Sequence, residues 1–548
     1  MKVIFSRKHI VIFFAYLAVL LLLWNGYVSL WDQDEAAYAG FAKRMIETGN
    51  WLIPHFDWAF IHRKPPFHFW TMALAYKIFG INTFSVRFFS ALAVWLSIFL
   101  LYRRVKKLVN VETAFLSALV LASNLLVIML GKMAVTDAWM LLFYTWAGLS
   151  LWEYFATNNN RKLWEFYTAV ALSFLVKGPP MLLFGGVLFL LLLLFYPDKK
   201  KLLRTRPWLY GILSLLPFFL WIWLAWKKDP AFVRWWTDWY ILKRIHSSVL
   251  HQTGPPGTYF LLFFVTFLPF LVFVFPAIRL AYKAIRRRQS PWLFPALWLA
   301  AGWLPYELLK SKLPAYVLAS YPPLAVLIAG VLTEFRKGKR QKQVRWTGIQ
   351  ALILIFLAVV AFSGFFIAEK ILGEKPVAIP VLGVVFATAG WMWYLAWKSA
   401  RANDFTIAVK NIALQGVIIT AGLFLIVLPL IEPYKNAGFR TAKFISANNP
   451  STGKIIVTND FGKPPSLIFY LEKYNPGDKI EIHDEKDKEA WMIDRFPREK
   501  AVWIINPHQW EILKSRYAGD LRQYRMKRFR SLNTGRVGNN DYIILIPE

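Results

Sequence analysis

The chain carries run after run of 17 to 25 mostly apolar residues, each long enough to cross a bilayer as a helix. No other feature limits the fold so tightly. A backbone inside hydrocarbon must satisfy its own hydrogen bonds, and a helix does so within one segment. The runs fall near 9–30, 85–102, 114–131, 137–156, 163–177, 180–196, 208–226, 259–282, 291–309, 315–333, 346–368, 376–397 and 405–431. The expectation is a polytopic α-helical membrane protein with about thirteen transmembrane helices. Composition agrees, since 57% of the 548 residues are hydrophobic and 18% aromatic, too apolar for a soluble chain of this length. Cysteine is absent, which removes any disulfide framework and any thiolate chemistry.

Charge supplies the orientation. Lys and Arg number 65 against 32 Asp and Glu, a formal net charge of +33. Basic loops such as "RRVKK" at 103, "DKKKLLRTR" at 198, "KAIRRRQ" at 283 and "RKGKRQKQVR" at 336 recur between alternate pairs of runs. Such loops stay in the cytoplasm, so the basic amino terminus is expected inside and every odd helix exits outward. Thirteen crossings then put the carboxyl-terminal segment outside. Much of the basic excess is thus a topology signal, which argues against a nucleic-acid partner. The first run lacks a small-residue cleavage site and reads as a retained anchor.

Two outward loops are long, 31–84 and 227–258, and both are rich in charged and aromatic residues. Long loops opening on one face commonly build a site there. After Glu432 the composition changes. "GKIIVTND", "DKIEIH", "KAVWIIN" and "DYIILIP" read as strands, and 464–473 and 507–517 as helices. The expected organisation is a membrane domain over 1–431 and a small extracytoplasmic α/β domain over 432–548.

"LWDQDEAAYAG", residues 30 to 40, crowds Asp32, Asp34 and Glu35 into a chain poor in acid. From there Ala37, Tyr38, Phe41, Met45 and Ile46 share one helical face, as in a helix lying along a membrane surface. Asp32 with Glu35 three residues on is the pattern of a capping box, and capping is the default for Asp32. Asp34 and Glu35 stay open between capping and chemistry. In "HRKPPFHFW" two prolines start a helix, with Arg63 and Lys64 just before it, where an anion or lipid headgroups are equally suited. Thr136 and Asp137 in "GKMAVTDAW" suit a helix cap, yet an ionisable group at membrane depth is a functional candidate. Lys177 in "LVKGPPM" raises the same question. "LKRIHSSVLHQTGPP" adds Arg244 and His246, and "ELLKSKLPAY" adds Glu307, Lys312 and Tyr316. Cations on the outer face, where orientation does not require them, beside a few carboxylates, suggest a general base near an anionic substrate.

"DEAAY", "TGNWLIPHFDWAFIHRKPPFHFW", "FSVRFFS", "TDAW", "KGPP" and "SKLPAYVLASYPPLA" occur in that order over residues 31 to 325. The ordered set resembles the ArnT-like lipid-linked-sugar glycosyltransferases, relatives of the protein O-mannosyltransferases in the membrane class GT-C. The resemblance implies a GT-C fold in the bacterial cytoplasmic (inner) membrane, with the carboxyl-terminal domain periplasmic. It also implies an enzyme that moves a sugar from a polyprenyl-phosphate donor to a lipid A, glycan, lipid or protein acceptor. Asp34 matches the first acid of the family's DExxY motif and becomes the candidate catalytic carboxylate, with Glu35 and Tyr38 completing the motif. Asp137 matches the second family acid. Lys64 matches the lysine that binds the donor phosphate, and Lys177 the KGP lysine. Arg244 and His246 fall in a loop of further substrate contacts, and Lys312 and Tyr316 in the late KLP motif. The aminoarabinose transferases carry an acid where this chain has Arg63, which takes away one carboxylate ligand from any divalent metal. No certain cofactor is expected, with a divalent metal left open.

The chemistry suits these parts. Polyprenyl phosphate leaves from the anomeric carbon, so cations must meet the charge that develops on phosphate. No GxxxxGK[ST] loop for a nucleotide sugar is present. A transporter or lipid flippase is the alternative, but transporters keep ionisable groups near the midplane and show repeated halves. Here the charges cluster at outer helix ends, and no repeat is visible.

Overall fold

Apolar runs become helices through most of the chain. The computed structural model describes residues 5–31, 34–56, 64–238, 253–288, 290–337, 343–372, 376–448, 453–458, 465–483, 488–530 and 541–548. Arg63, Arg244, His246 and the expected cap Asp32 lie outside the described residues. The first nine helices are α1 (Arg7–Leu22), α2 (Asp34–Thr48), α3 (Phe67–Phe79), α4 (Thr83–Leu108), α5 (Val111–Ala122), α6 (Leu125–Gly131), α7 (Thr136–Thr157), α8 (Arg161–Val176) and α9 (Pro180–Phe195). Among the described residues seven helices are long and apolar enough to cross a membrane, or eight if α5 and α6, bent by 70°, form one span. The bend has a local cause. The Asn124 side chain accepts from the Val127 amide and starts a new helix inside the apolar run. Several other runs expected to cross are short. Helices α1, α8 and α9 have 16 residues each.

Two units divide the contacts. The first comprises Met1–Asn25, Lys64–Thr71 and Arg87–Pro429, and the second Gly26–Arg63, Met72–Val86 and Leu430–Glu548. In the first unit, helix packing rests on large aromatics set against missing side chains. A Cβ on Gly148 of α7 would lie 2.3 Å from the buried Trp298 ring, so that ring rests on bare backbone. Trp152 and Phe294 stack 6.2 Å apart along the same contact. A Cβ on Gly302 would lie 2.6 Å from the Ser320 backbone nitrogen. That close approach seats the turn Pro314–Ser320 against helix Leu293–Leu308. Outward positions such as Leu352 and Phe356, 68% and 65% exposed, present an apolar surface of the kind lipid covers.

The second unit holds a five-stranded sheet in the order β2-β1-β3-β5-β4. Its strands are β1 (Lys454–Thr458), β2 (Lys479–Ile482), β3 (Val502–Ile505), β4 (Tyr524–Arg530) and β5 (Asp541–Pro547). Strand β1 runs parallel to β2 and β3, and β5 antiparallel to β3 and β4. Central strands buried on both faces read as continuous apolar runs, which is why "KIIVT" and "VWII" are recognisable. The core gathers Ile456, Met492, Phe496, Trp503, Leu513 and Leu545. Strand β4, "YRMKRFR", carries charge at an exposed edge, and a charged edge has no apolar alternation to announce it.

Helix α2 belongs to this second unit, together with residues 430–548, whereas the sequence assigns 31–84 to the membrane domain. The polar side of α2 is not left free. Tyr38, Phe41 and Met45 are buried, and its cations are clasped by the helix Pro465–Tyr474. Arg44 donates to Glu472 Oε1 at 2.9 Å, and Lys43 pairs with the same carboxylate. Just upstream, the Leu30 amide donates to the Tyr470 hydroxyl at 2.8 Å, and Asn436 Nδ2 donates to the Leu30 carbonyl at 2.8 Å. Lys435 covers the Trp31 ring at 4.1 Å.

Candidate active site

Four separate motifs converge in the first unit. Pro65 and Pro66 preset the opening turn of α3, which leaves Lys64 buried at its threshold. Lys64 Nζ donates to the Thr136 hydroxyl at 3.3 Å. Thr136 opens α7, and its neighbour Asp137 lies in the first turn. Lys177 closes α8, and Gly178, at φ +78°, lets the chain reverse into Pro179 and α9. Lys177 Nζ donates to Asp137 Oδ1 at 2.5 Å. The pair is favoured twice, because a carboxylate suits a helix start and an ammonium suits a helix end. Lys177 also stands 5.9 Å from the centre of the Tyr316 ring, which packs on Tyr306 at 6.0 Å.

Lys312 completes this chain of groups from the other side. Its ammonium donates to the Tyr306 and Glu307 carbonyls at 2.8 Å each and lies 5.1 Å from the centre of the Tyr259 ring. Burial pushes Lys312 below the usual lysine range, while Glu307 pulls the other way. The Glu307 carboxylate accepts from the Gly257 and Phe260 amides at 2.9 and 3.0 Å and from Trp303 Nε1 at 2.8 Å. It therefore ties the start of helix Thr258–Thr266 to the end of Leu293–Leu308. The structure thus brings Lys64, Asp137, Lys177, Lys312 and Tyr316 into one set of contacts, linked by Thr136 and Tyr306. Sequence reading passes over Tyr306, whose only signal is its position just before the KLP turn, and Tyr259, which meets that turn only in the fold. It also passes over Lys132, whose ammonium burial pushes down to about 7, with Arg87 adding to the effect.

The DExxY motif stands in the second unit. Asp34 is exposed at the first residue of α2. Glu35 is fully buried, and its Oε2 accepts from the Trp31 amide at 2.8 Å. Tyr38 is fully buried and stacks on Phe41 with ring centres 6.3 Å apart. One acid of the motif therefore faces outward, while the other closes the turn before the helix.

The dolichyl-phosphate-mannose-protein mannosyltransferase family matches residues 63–223. An undecaprenyl phosphate-alpha-4-amino-4-deoxy-L-arabinose arabinosyl transferase of Proteus mirabilis is 28% identical over 385 residues, 67% of this chain and 67% of that protein. A protein of the same description from Pseudomonas aeruginosa is 25% identical over 495 residues, 88% of this chain and 86% of that one. Among solved structures, ArnT from Cupriavidus metallidurans bound to undecaprenyl phosphate superposes with a TM-score of 0.68 at 18% identity, covering 98% of both chains. The helical fold is that of the solved ArnT structure. The chain is a membrane glycosyltransferase that resembles the undecaprenyl-phosphate arabinosyl transferases.

Proposed function

We propose that the chain transfers a sugar from a polyprenyl-phosphate donor to an acceptor hydroxyl at the outer face of the membrane. The single observation that carries this is the buried cluster of Lys64, Thr136, Asp137 and Lys177, assembled from three motifs far apart in sequence. In the reaction the acceptor hydroxyl gives its proton to a carboxylate, its oxygen bonds to the anomeric carbon, and the bond from that carbon to the phosphate oxygen breaks. Polyprenyl phosphate leaves as an anion, and Lys64 meets its charge. Asp34 is the proposed base, by its match to the first acid of the motif and its exposure at the start of α2; Glu35 is buried and accepts from the Trp31 amide. Glu35 then acts as a positioning residue that fixes the start of α2. Asp137 sets Lys177 in place, and Tyr316 and Lys312 shape the same wall. Arg63, Arg244 and His246 are proposed as further substrate contacts by motif alone. Among the described residues no three His, Asp or Glu side chains gather to hold a metal, and no step here is routed through one.

We place the amino terminus in the cytoplasm, thirteen helices across the membrane, and residues 432–548 in the periplasm. Alternation of basic loops supports this arrangement. Cysteines introduced singly at 340 and 480 in this cysteine-free chain are expected to label from opposite sides. Labelling of both from one side would refute the topology.

Lys64→Ala is expected to weaken donor binding by roughly 10–150-fold, the equivalent of a charge-assisted hydrogen bond worth about 1.5–3 kcal/mol. Titration of the purified protein with a labelled polyprenyl-phosphate sugar measures it. Unchanged affinity removes Lys64 from the site, and absence of sugar transfer from any polyprenyl-phosphate donor by the unmodified protein removes the function.

A further inference from the structure

The turn that follows α9 forms a cavity of about 490 Å3, none of whose lining residues belongs to the lysine and carboxylate cluster. Its size falls within the ~300–1,000 Å3 of small-ligand pockets. Arg204 and Arg206 line it together with Tyr154, Trp164, Tyr167 and Tyr210. The turn is fastened from beneath. The Tyr167 hydroxyl donates to the Thr205 carbonyl at 2.8 Å, and Lys201 Nζ donates to the Phe155 carbonyl at 2.7 Å. Arg206 is held at φ +48° directly before Pro207. A left-handed backbone is unfavourable for a residue with a Cβ, and a following proline already narrows the choice toward extended conformations. Neither arginine forms an ion pair among the described residues. The fold therefore presents two guanidinium groups over an aromatic floor, in a conformation maintained at some cost.

The surroundings indicate what they meet. The span Lys199–Lys228 begins at this turn, and only 22% of its apolar window is buried. Trp208 and Ile212 are 59% and 64% exposed, so the flank below the cavity faces acyl chains. Trp164 packs on Tyr210 with ring centres 5.4 Å apart, in the manner of aromatics that sit at headgroup level. We propose that this cavity binds the phosphate-bearing headgroup of an anionic membrane lipid. The guanidinium forks take the phosphate oxygens, the tyrosine and tryptophan rings cover the glycerol, and the acyl chains lie along the exposed side of Pro207–Leu213. A soluble phosphate would meet the arginines but gain nothing from that apolar flank.

The test uses the full-length protein in detergent, with bound lipid counted by native mass spectrometry. Phosphatidylglycerol is expected to bind at least about tenfold more tightly than phosphatidylcholine, and Arg204→Gln/Arg206→Gln to abolish the difference. Arg286→Gln/Arg287→Gln, altered in a different basic loop, is expected to retain it. Trp164→Ala, which leaves both arginines in place, is expected to weaken lipid binding several-fold. Thermal unfolding of each variant shows whether it is folded. Persistence of the preference in the first variant, equal loss in the second, or no effect of Trp164→Ala overturns the proposal. Displacement of phosphatidylglycerol by inorganic phosphate at matching concentration overturns it too, by making the site a free-anion site.

Discussion

Asp34→Asn is expected to reduce sugar transfer by about 10²–10⁴-fold, the usual contribution of general-base catalysis, in a protein that still folds and binds donor. Asparagine keeps the shape of the side chain and starts a helix about as well as aspartate. If Asp34 only favoured the beginning of α2, the change would cost just the lost dipole interaction, about 0.3–1 kcal/mol at an exposed site. The two roles thus differ by orders of magnitude in turnover and hardly at all in stability. Asp32→Asn, two residues upstream, is the control and is expected to transfer sugar at a near-normal rate. Rates, unfolding temperatures and donor affinities measured side by side decide the matter. Near-normal transfer by Asp34→Asn, or equal losses in both variants, would end the assignment.

Asp137→Ala is expected to be among the most destabilising single changes in the membrane unit, by about 3–5 kcal/mol. The Asp137 and Lys177 side chains are only 14% and 10% exposed, so losing the carboxylate strands an ammonium away from water. Lys177 sits at the end of α8, and the helix dipole offsets a small part of the loss. Removing the stranded charge as well, in Asp137→Ala/Lys177→Met, is expected to recover much of the stability, because partners in contact are not additive. Unfolding in detergent reads both. A double variant as unstable as the sum of the two singles would show that the two charges do not depend on each other.

The membrane fold was legible because bilayers punish unpaired backbone and misplaced charge severely, and both leave long, coarse traces in sequence. Strands β1, β3 and β5 were legible as apolar runs, and β2, "KIEI", as an alternation of charged and apolar residues. Strand β4 was not, since "YRMKRFR" follows no apolar alternation. At the site, motif order picked out Lys64, Asp137, Lys177, Lys312 and Tyr316, which the fold gathers. It could not reveal the partners. Thr136 answers Lys64 from 72 residues away, and Asp137 answers Lys177 from 40. Nothing near Lys43 and Arg44 points to Glu472, because that pairing exists only once a separate sheet has brought its helix to α2.

That last contact sets an order of events during synthesis. Arg44 and Glu472 are 428 residues apart. At roughly 5–20 residues per second a ribosome needs on the order of 20–90 s to pass from one to the other. Through most of that time the stretch from Leu30 to Thr48 lacks Asn436, Tyr470 and Glu472, the groups that later hold it. The acidic turn at Asp34 is thus made early and fixed late. A chain released after residue 433 would carry the seven membrane-length helices of the described residues and still lack the clasp on α2. The clasp on α2 therefore closes only after Glu472 has been made.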